Sequence, residues 1–191
     1  MTNLQQQKQQ LRSRIRELKH QQSAEQLASW SRLVLSRVEE LDEFRRAEVV
    51  LAYYSLPFEP CTHQALLRWS VSKQILLPTV VAGQTGEPTM ELHVYQGPDR
   101  LERGELGTIE SRGALYPPML YDRIDLAIVP GIAFDRLGNR MGRGRGFYDN
   151  LLPKLRATRV GVCFPFQLVS RCPVEATDIP MDLVVSAEIS R

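Results

Sequence analysis

The stretch Asp125-Leu-Ala-Ile-Val-Pro-Gly-Ile-Ala-Phe-Asp135-Arg-Leu-Gly-Asn-Arg140-Met-Gly-Arg-Gly-Arg145-Gly-Phe-Tyr-Asp149 decides how the chain is read. Leu126-Ala-Ile-Val129 is a short apolar run of the kind that forms a strand covered on both faces. It runs into a loop where Gly142, Gly144 and Gly146 alternate with Arg143 and Arg145, and residues 147–155 then read as a helix. Glycines with free φ let consecutive backbone N–H groups converge on an anion, and the following helix offers the positive end of its dipole. The interleaved guanidinium groups add charge-assisted hydrogen bonds to phosphate oxygens. Asp149, just past the loop, suits a magnesium ion bridging those phosphates.

Three plainer readings compete for the same residues. Glycine clusters make turns, Arg-Gly-Arg-Gly occurs in RNA-binding tracts, and Asp149 also suits the first turn of a helix. Phosphate binding is preferred because the segment lies between a buried strand and an apolar helix, whereas disordered Arg-Gly tracts are longer and lack such flanks. The loop is neither G-x-x-x-x-G-K-[ST] nor G-x-G-x-x-G.

Working outward, residues 4–20 place Leu4, Leu11, Ile15 and Leu18 on one helical stripe, with Lys8, Arg12 and Arg16 on a neighbouring, exposed face. Ser23 and Gln26 form a capping-box pair ahead of a second helix over 24–40. From residue 46 the texture becomes short β-branched runs: strands are expected at Val49-Val-Leu-Ala-Tyr53, Gln74-Ile-Leu-Leu77, Met90-Glu-Leu-His-Val-Tyr95, Leu126 to Val129, Arg159-Val-Gly-Val-Cys163 and Leu183-Val-Val185. With helices at 63–70 and 147–155 between them, the pattern predicts a three-layer α/β/α sandwich on a mostly parallel, Rossmann-like sheet. Residues 83–122, with Gly83, Gly86, Pro88, Gly97 and Pro98 among their breakers, read as loops around one strand, able to cover a site.

Composition narrows the class. The 191 residues carry 24 Lys+Arg against 22 Asp+Glu, for a formal charge of +2, and are 43% hydrophobic. That is one ordinary domain spanning 1–191, with no linker or repeat to divide it. Twenty of the basic residues are Arg and four are Lys, which permits an anionic ligand but also follows from base composition. Cys61, Cys163 and Cys172 are widely spaced and odd in number, against a disulfide framework or zinc ribbon. The N-terminus lacks a signal-type apolar stretch, and no run approaches the roughly 18 residues of a membrane span. A soluble cytoplasmic protein is expected, without membrane, nucleic-acid or obligatory protein partner.

The glycine-rich stretch resembles the signature of the 5-formyltetrahydrofolate cyclo-ligase family, and other segments agree in order along the chain. Lys8 with Leu11-Arg12 is similar to the family's Lys-x-x-Leu-Arg helix. Tyr53-Tyr-Ser-Leu-Pro-Phe-Glu59 with Thr62 resembles its substrate strand and turn, and Cys172-Pro-Val-Glu-Ala-Thr-Asp178 its closing Pro-x-Glu-x-x-Asp segment. The resemblance implies ATP- and Mg2+-dependent closure of 5-formyltetrahydrofolate, polyglutamylated or not, to 5,10-methenyltetrahydrofolate. ADP and phosphate are released through a phosphorylated formyl (iminium phosphate) intermediate.

Carried over by position, Lys8, Gln9, Gln10, Leu11, Arg12, Arg140, Met141, Gly142, Arg143, Gly144, Arg145, Gly146, Phe147 and Tyr148 would line the ATP site. Arg143 and Arg145 would be catalytic, nearest the transferred phosphate. Arg12, Tyr54, Glu59, Arg143, Gly144, Arg145, Gly146 and Phe147 would meet the folate, Glu59 accepting hydrogen bonds from the pterin's amino-pyrimidine edge. Asp149 and Asp178 would hold the metal.

Each assignment has a structural counterpart. The N-terminal cations suit a solvated helix face, one of Tyr53 and Tyr54 belongs to the core, and Glu59 suits a turn after Pro57. Asp178 rests on the family pattern. Phe147 stands where many relatives have Tyr, and Ser111 follows Glu110 where Pro is common. His20, His63 and His93 match no metal spacing, and Cys61 beside His63 reads as a structural turn. The competing functions are an RNA-binding protein using the Arg/Gly loop and basic helix, and a non-catalytic folate-binding protein. Near-zero net charge weighs against the first.

Overall fold

The computed structural model describes residues 2–57, 59–83, 88–104 and 107–188. Phe58 of the 53–59 segment and Gly86 of the 83–122 segment lie outside these. Helices are α1 (Asn3–His20), α2 (Ala24–Glu40), α3 (Asp42–Arg46), α4 (His63–Trp69) and α5 (Phe147–Leu151). Strands are β1 (Val49–Leu51), β2 (Gln74–Ala82), β3 (Pro88–Val94), β4 (Leu101–Arg103), β5 (Ile109–Ser111), β6 (Leu115–Tyr116), β7 (Leu126–Pro130), β8 (Ala133–Asp135), β9 (Arg140–Met141), β10 (Thr158–Cys163), β11 (Leu168–Val169) and β12 (Leu183–Ser186).

The main sheet has seven strands in the order β12-β10-β7-β1-β2-β3-β6. β12, β10, β7, β1 and β2 are mutually parallel, and β3 runs against both β2 and β6. Alternation along the strands divides the core in two. Val50, Ile75, Leu77, Leu126, Ile128, Val160 and Val162 face one side, under Val34 and Val38 of α2, Phe44 of α3 and Leu66 and Trp69 of α4. Leu51, Leu76, Ala127, Val129 and Cys163 face the other, under Tyr116, Tyr121, Phe134, Leu151 and Leu152. Burying one such aliphatic side chain contributes about 1.5–3 kcal/mol, so both faces must be covered for central strands this apolar to persist. The expected three layers are present, and the second is assembled from α5, 3₁₀ turns and a hairpin.

That hairpin is the first departure from the sequence reading. Residues 131–141 are not simple loop: β8 and β9 pair antiparallel, β11 adds to β8, and Asp135 organises the turn. The fully buried Asp135 carboxylate accepts from Leu137 and Asn139 backbone N–H at 3.0 Å, from Asn139 Nδ2 at 3.0 Å and from Cys172 N–H at 2.9 Å. Gly161, in the middle of β10, lets the hairpin settle on the sheet, because a Cβ there would meet the Phe134 ring at 2.4 Å. Helix α1 packs on this hairpin through Ile15, against Ala133, Met141 and Cys172.

Two further corrections concern extent. Residues 83–122 hold the expected strand as β3 and, beyond it, β4, β5 and β6, pieces of two or three residues too short to show a period-two pattern. The helix expected over 147–155 is α-helical only to Leu151 and continues as a 3₁₀ turn, Leu152–Lys154, where Pro153 cannot donate to the helical ladder. At α1, Thr2 and Gln5 form a reciprocal capping box, whereas at α2 Ser23 accepts from Gln26 N–H. No helix among the described residues is long and apolar enough to cross a membrane.

Candidate active site

The sheet order places β2 on one side of β1 and β7 on the other, so the chain leaves the sheet centre in opposite directions at the carboxyl ends of β1 and β7. In open α/β sheets ligands bind at such a switch point. A cleft of about 210 Å³ opens there.

The segment after β1 is fixed by its own side chains. Tyr53 Oη donates to Pro60 O at 2.8 Å, Thr62 Oγ1 donates to Tyr53 O at 2.6 Å, and Ser55 and Thr62 exchange two side-chain bonds at 3.1 Å. Tyr53 is therefore core, and Tyr54 faces the cleft with its ring stacked on His63, centroids 3.8 Å apart. Glu59 closes the turn by accepting from Leu56 N–H at 2.9 Å, and its other oxygen accepts from Arg143 Nη2 at 3.3 Å. Burial raises its pKa, an effect the Leu56 N–H and the Arg143 charge oppose.

The opposite wall is the glycine loop. It reaches the cleft through the β8–β9 hairpin rather than directly from β7, which contributes Pro130 to the lining. Gly144 and Gly146 have φ of 90° and 69°, the left-handed region that strains other residues. Arg12 Nη2 lies 3.1 Å from the place a Cβ on Gly144 would take, and donates to Gly142 O at 3.4 Å. Arg140 is buried: Nη2 donates to Asp149 Oδ1 at 2.9 Å, and its guanidinium carbon sits 5.4 Å from the centre of the Tyr148 ring. Burial first, and the Glu59 charge second, raise the Tyr148 phenol, so it stays protonated. Arg143 and Arg145 are exposed at the mouth.

Lys8 joins the two ends of the chain, donating to Glu175 Oε1 at 3.1 Å and Asp178 Oδ2 at 3.2 Å. Asp178 Oδ2 also accepts from Glu175 N–H at 2.8 Å. The expected cleft residues Lys8, Arg12, Tyr54, Glu59, Arg140 to Tyr148, Asp149 and Asp178 all line the space. Gln9, Gln10 and Leu11 do not. The helical period that brings Lys8 and Arg12 inward leaves Gln9 and Gln10 exposed, and Leu11 packs beside Ile15. The third wall was missed: Pro78, Val80 and Met90 with Thr108, Ile109 and Glu110. Glu110 is buried and accepts from Val80 N–H at 3.2 Å and Thr108 Oγ1 at 2.7 Å. Its only sequence signal was a family pattern that Ser111 interrupts.

The site suits a divalent cation in company with phosphates. The described residues contain no group of three or more His, Cys, Asp or Glu placed to hold a metal. Magnesium, however, commonly takes one or two carboxylates, with phosphate oxygens and water completing its shell. Asp149 and Asp178 supply that number of hard oxygen donors. Arg12 Nε and Tyr148 Oη are buried at the cleft without a hydrogen-bond partner among the described residues, the state of groups that a polar ligand completes.

Parallel sheet, switch-point cleft and cation-rich loop together are those of an α/β enzyme. Residues 4–187 match the model of the 5-formyltetrahydrofolate cyclo-ligase family, and the chain belongs to that family. A 5-formyltetrahydrofolate cyclo-ligase from Haemophilus influenzae is 29% identical over 186 residues, covering 94% of this chain and 98% of the relative. That of Escherichia coli K12 is 31% identical over 121 residues, 62% of this chain and 65% of its own. The structure of Aquifex aeolicus 5,10-methenyltetrahydrofolate synthetase superposes with a TM-score of 0.82 at 31% identity, covering 95% of this chain and 90% of that one. A Mycoplasma pneumoniae 5,10-methenyltetrahydrofolate synthetase shares the fold, with a TM-score of 0.72 at 17% identity over 95% and 99% of the two chains.

Proposed function

We propose that this protein closes 5-formyltetrahydrofolate to 5,10-methenyltetrahydrofolate with ATP and Mg2+, releasing ADP and phosphate. The observation that carries the reading is one cleft in which Lys8 and Arg12, Tyr54 and Glu59, the arginine-glycine loop, and Asp149 and Asp178 meet from four distant parts of the sequence.

A formyl oxygen on nitrogen is a poor leaving group. In the proposed sequence it attacks the γ-phosphorus and ADP departs, leaving an iminium phosphate on N5. N10 then bonds to the formyl carbon and loses its proton, and the carbon–oxygen bond breaks to release phosphate. Phosphoryl transfer asks a protein for position and charge neutralisation more than covalent chemistry. Arg143 and Arg145 take the phosphate side, while Arg140, locked to Asp149, fixes the loop behind them. Asp149 and Asp178 hold the magnesium ion, which when bound neutralises phosphate charge. Glu59 and Tyr54 take the pterin. That Arg12 and Arg143 are tied to Gly142 and Glu59 in the lining of the cleft favours this over RNA contacts. We place the reaction in the cytoplasm and treat the whole chain as one catalytic unit, in keeping with its three free cysteines.

The test is the absorbance of methenyltetrahydrofolate formed from 5-formyltetrahydrofolate with and without magnesium and ATP, alongside ADP release. Absorbance growth only with both, matched by equimolar ADP, is expected. Folate binding without turnover would leave a non-catalytic binder, and RNA binding without either would overturn the assignment.

A further inference from the structure

Cys61 is set apart from the other cysteines by its exposure, its neighbours and its place in the chain. It is exposed where Cys163 and Cys172 are buried, and it lies on the turn that carries Tyr54 and Glu59 into the cleft. The backbone of that turn is held from behind. Cys61 N–H donates to Ser31 Oγ at 3.0 Å, and the fully buried Thr62 next to it exchanges its two bonds with Ser55. The side chains of His63 and Ser55 both act on the sulfur in favour of the thiolate. Ser55 Oγ accepts from Thr62 N–H at 3.1 Å, which leaves its own proton for the sulfur. His63 Nε2 lies 3.1 Å from Ser55 O, and because a carbonyl only accepts, Nε2 carries a proton and the other ring nitrogen serves Cys61. Once the thiol proton moves to that nitrogen, the imidazolium has an acceptor at both ends. His63 thereby brings the thiol down to about 7 against the opposing effect of burial. A thiol that titrates near ambient pH is the best attacking group in exchange with a disulfide. The reaction proposed above uses neither residue.

We propose that Cys61 forms a reversible mixed disulfide with a small thiol, and that the adduct weakens folate binding through His63 and Tyr54. The second half rests on the proposed function, which gives Tyr54 and Glu59 to the pterin. The Cys61 thiolate attacks one sulfur of a low-molecular-weight disulfide. A new sulfur–sulfur bond forms as the old one breaks, so Cys61 is oxidised. The other half of the reagent leaves reduced, taking the proton that Cys61 had passed to His63. A further small thiol reverses the exchange. Because Cys163 and Cys172 are buried, neither displaces the adduct to make an internal disulfide. The adduct removes the charge that His63 faces and puts a bulky substituent two positions from Glu59. The His63 ring is stacked on Tyr54 with centroids 3.8 Å apart, so a shift of one is passed to the other. Arg140 and Asp149, on other elements, are tied to each other and not to this turn.

Incubating the whole protein with glutathione disulfide and reading its intact mass tests the site. One glutathionyl group per chain is expected, on Cys61 by peptide mapping, absent from Cys61→Ser and removed by dithiothreitol. At pH 7, His63→Ala and His63→Gln should each slow its uptake by roughly tenfold, since a thiol returned toward its ordinary value loses most of its thiolate. The buried thiols check folding, because an unfolded variant would take up three groups. No adduct on wild type, or an unchanged rate in a folded His63 variant, would overturn the proposal. For the cleft, calorimetry compares binding of 5-formyltetrahydrofolate and of Mg-ATP before and after modification. The folate Kd should rise by roughly tenfold, the worth of one aromatic contact, with the Mg-ATP Kd unchanged and the original value restored by dithiothreitol. Full modification that leaves folate binding intact, or that weakens both ligands equally, would reject the link to Tyr54. Should the unmodified protein bind no folate, the functional reading falls, and the mass measurement still decides the mixed disulfide.

Discussion

Asp149 and Asp178 sit in very different settings, and the difference sets what their replacement will show. Asp149 neutralises Arg140, whose side chain is only 5% exposed, whereas Asp178 shares Lys8 with Glu175, so that Lys8 keeps a partner when Asp178 is lost. Removing one partner of a buried pair strands a charge. Asp149→Asn is therefore expected to lower unfolding stability by about 3 kcal/mol and Asp178→Asn by about 1 kcal/mol or less. Both should raise the magnesium concentration for half-maximal activity, and the double variant should lose less than the product of the single losses, as ligands of one ion are coupled. Multiplicative losses at unchanged metal dependence would separate the two residues. Arg145→Gln is expected to cut kcat by roughly two to three orders of magnitude, and a loss under about threefold would remove it from the catalytic set.

Cys61 invites a pH experiment. His63 holds its thiol down to about 7, against the opposing effect of burial, whereas burial pushes Cys163 and Cys172 up to about 12. Titration of the native protein with a chromogenic disulfide should modify one thiol, with a rate midpoint near pH 7, and three after denaturation. His63→Ala should move that midpoint upward. The sequence reading placed these two residues in a structural turn. Their electrostatic coupling is not legible from spacing, because it depends on the ring being pinned by Ser55 O and stacked on Tyr54.

At the scale of elements, the β8–β9 hairpin converts one acid into structure. Burial would raise the Asp135 pKa, but bonds from Cys172, Asn139 and Leu137 outweigh it and the pKa falls below the ordinary carboxylate range. A depressed carboxylate contributes stability that is complete above its unfolded-state value near 4 and is lost as pH falls through the folded value. Asp135→Asn should cost about 3 kcal/mol in urea unfolding at pH 7 and flatten the dependence of stability on pH below about 4. An unaltered acid limb would place the dependence elsewhere. This hairpin was hidden in the sequence because its strands are two and three residues long, with no periodicity to read. The helices α1 and α2 and the strands β1, β7 and β10 were legible, since each is long enough or apolar enough to declare its period. The cleft's glycine and arginine loop was legible as chemistry. Its third wall, from Pro78 to Glu110, was not, because a strand tip and a β-ribbon become site residues only through tertiary placement.

Across the whole molecule the two core layers share one sheet, so unfolding is expected as a single transition, with circular dichroism and tryptophan fluorescence coincident. Mg-ATP at a hundredfold over its Kd should add about 2.7 kcal/mol, and non-coincident probes would divide the chain into separate units. The Lys8–Asp178 contact joins residues 170 positions apart. Loops that long are closed late, after local structure is in place. During synthesis the cleft therefore stays open along one side until residues 175–178 leave the ribosome and find α1. A chain interrupted before that point can carry the whole arginine-glycine loop and still lack the clasp beside it, so retention on immobilised ATP would sort finished molecules from unfinished ones.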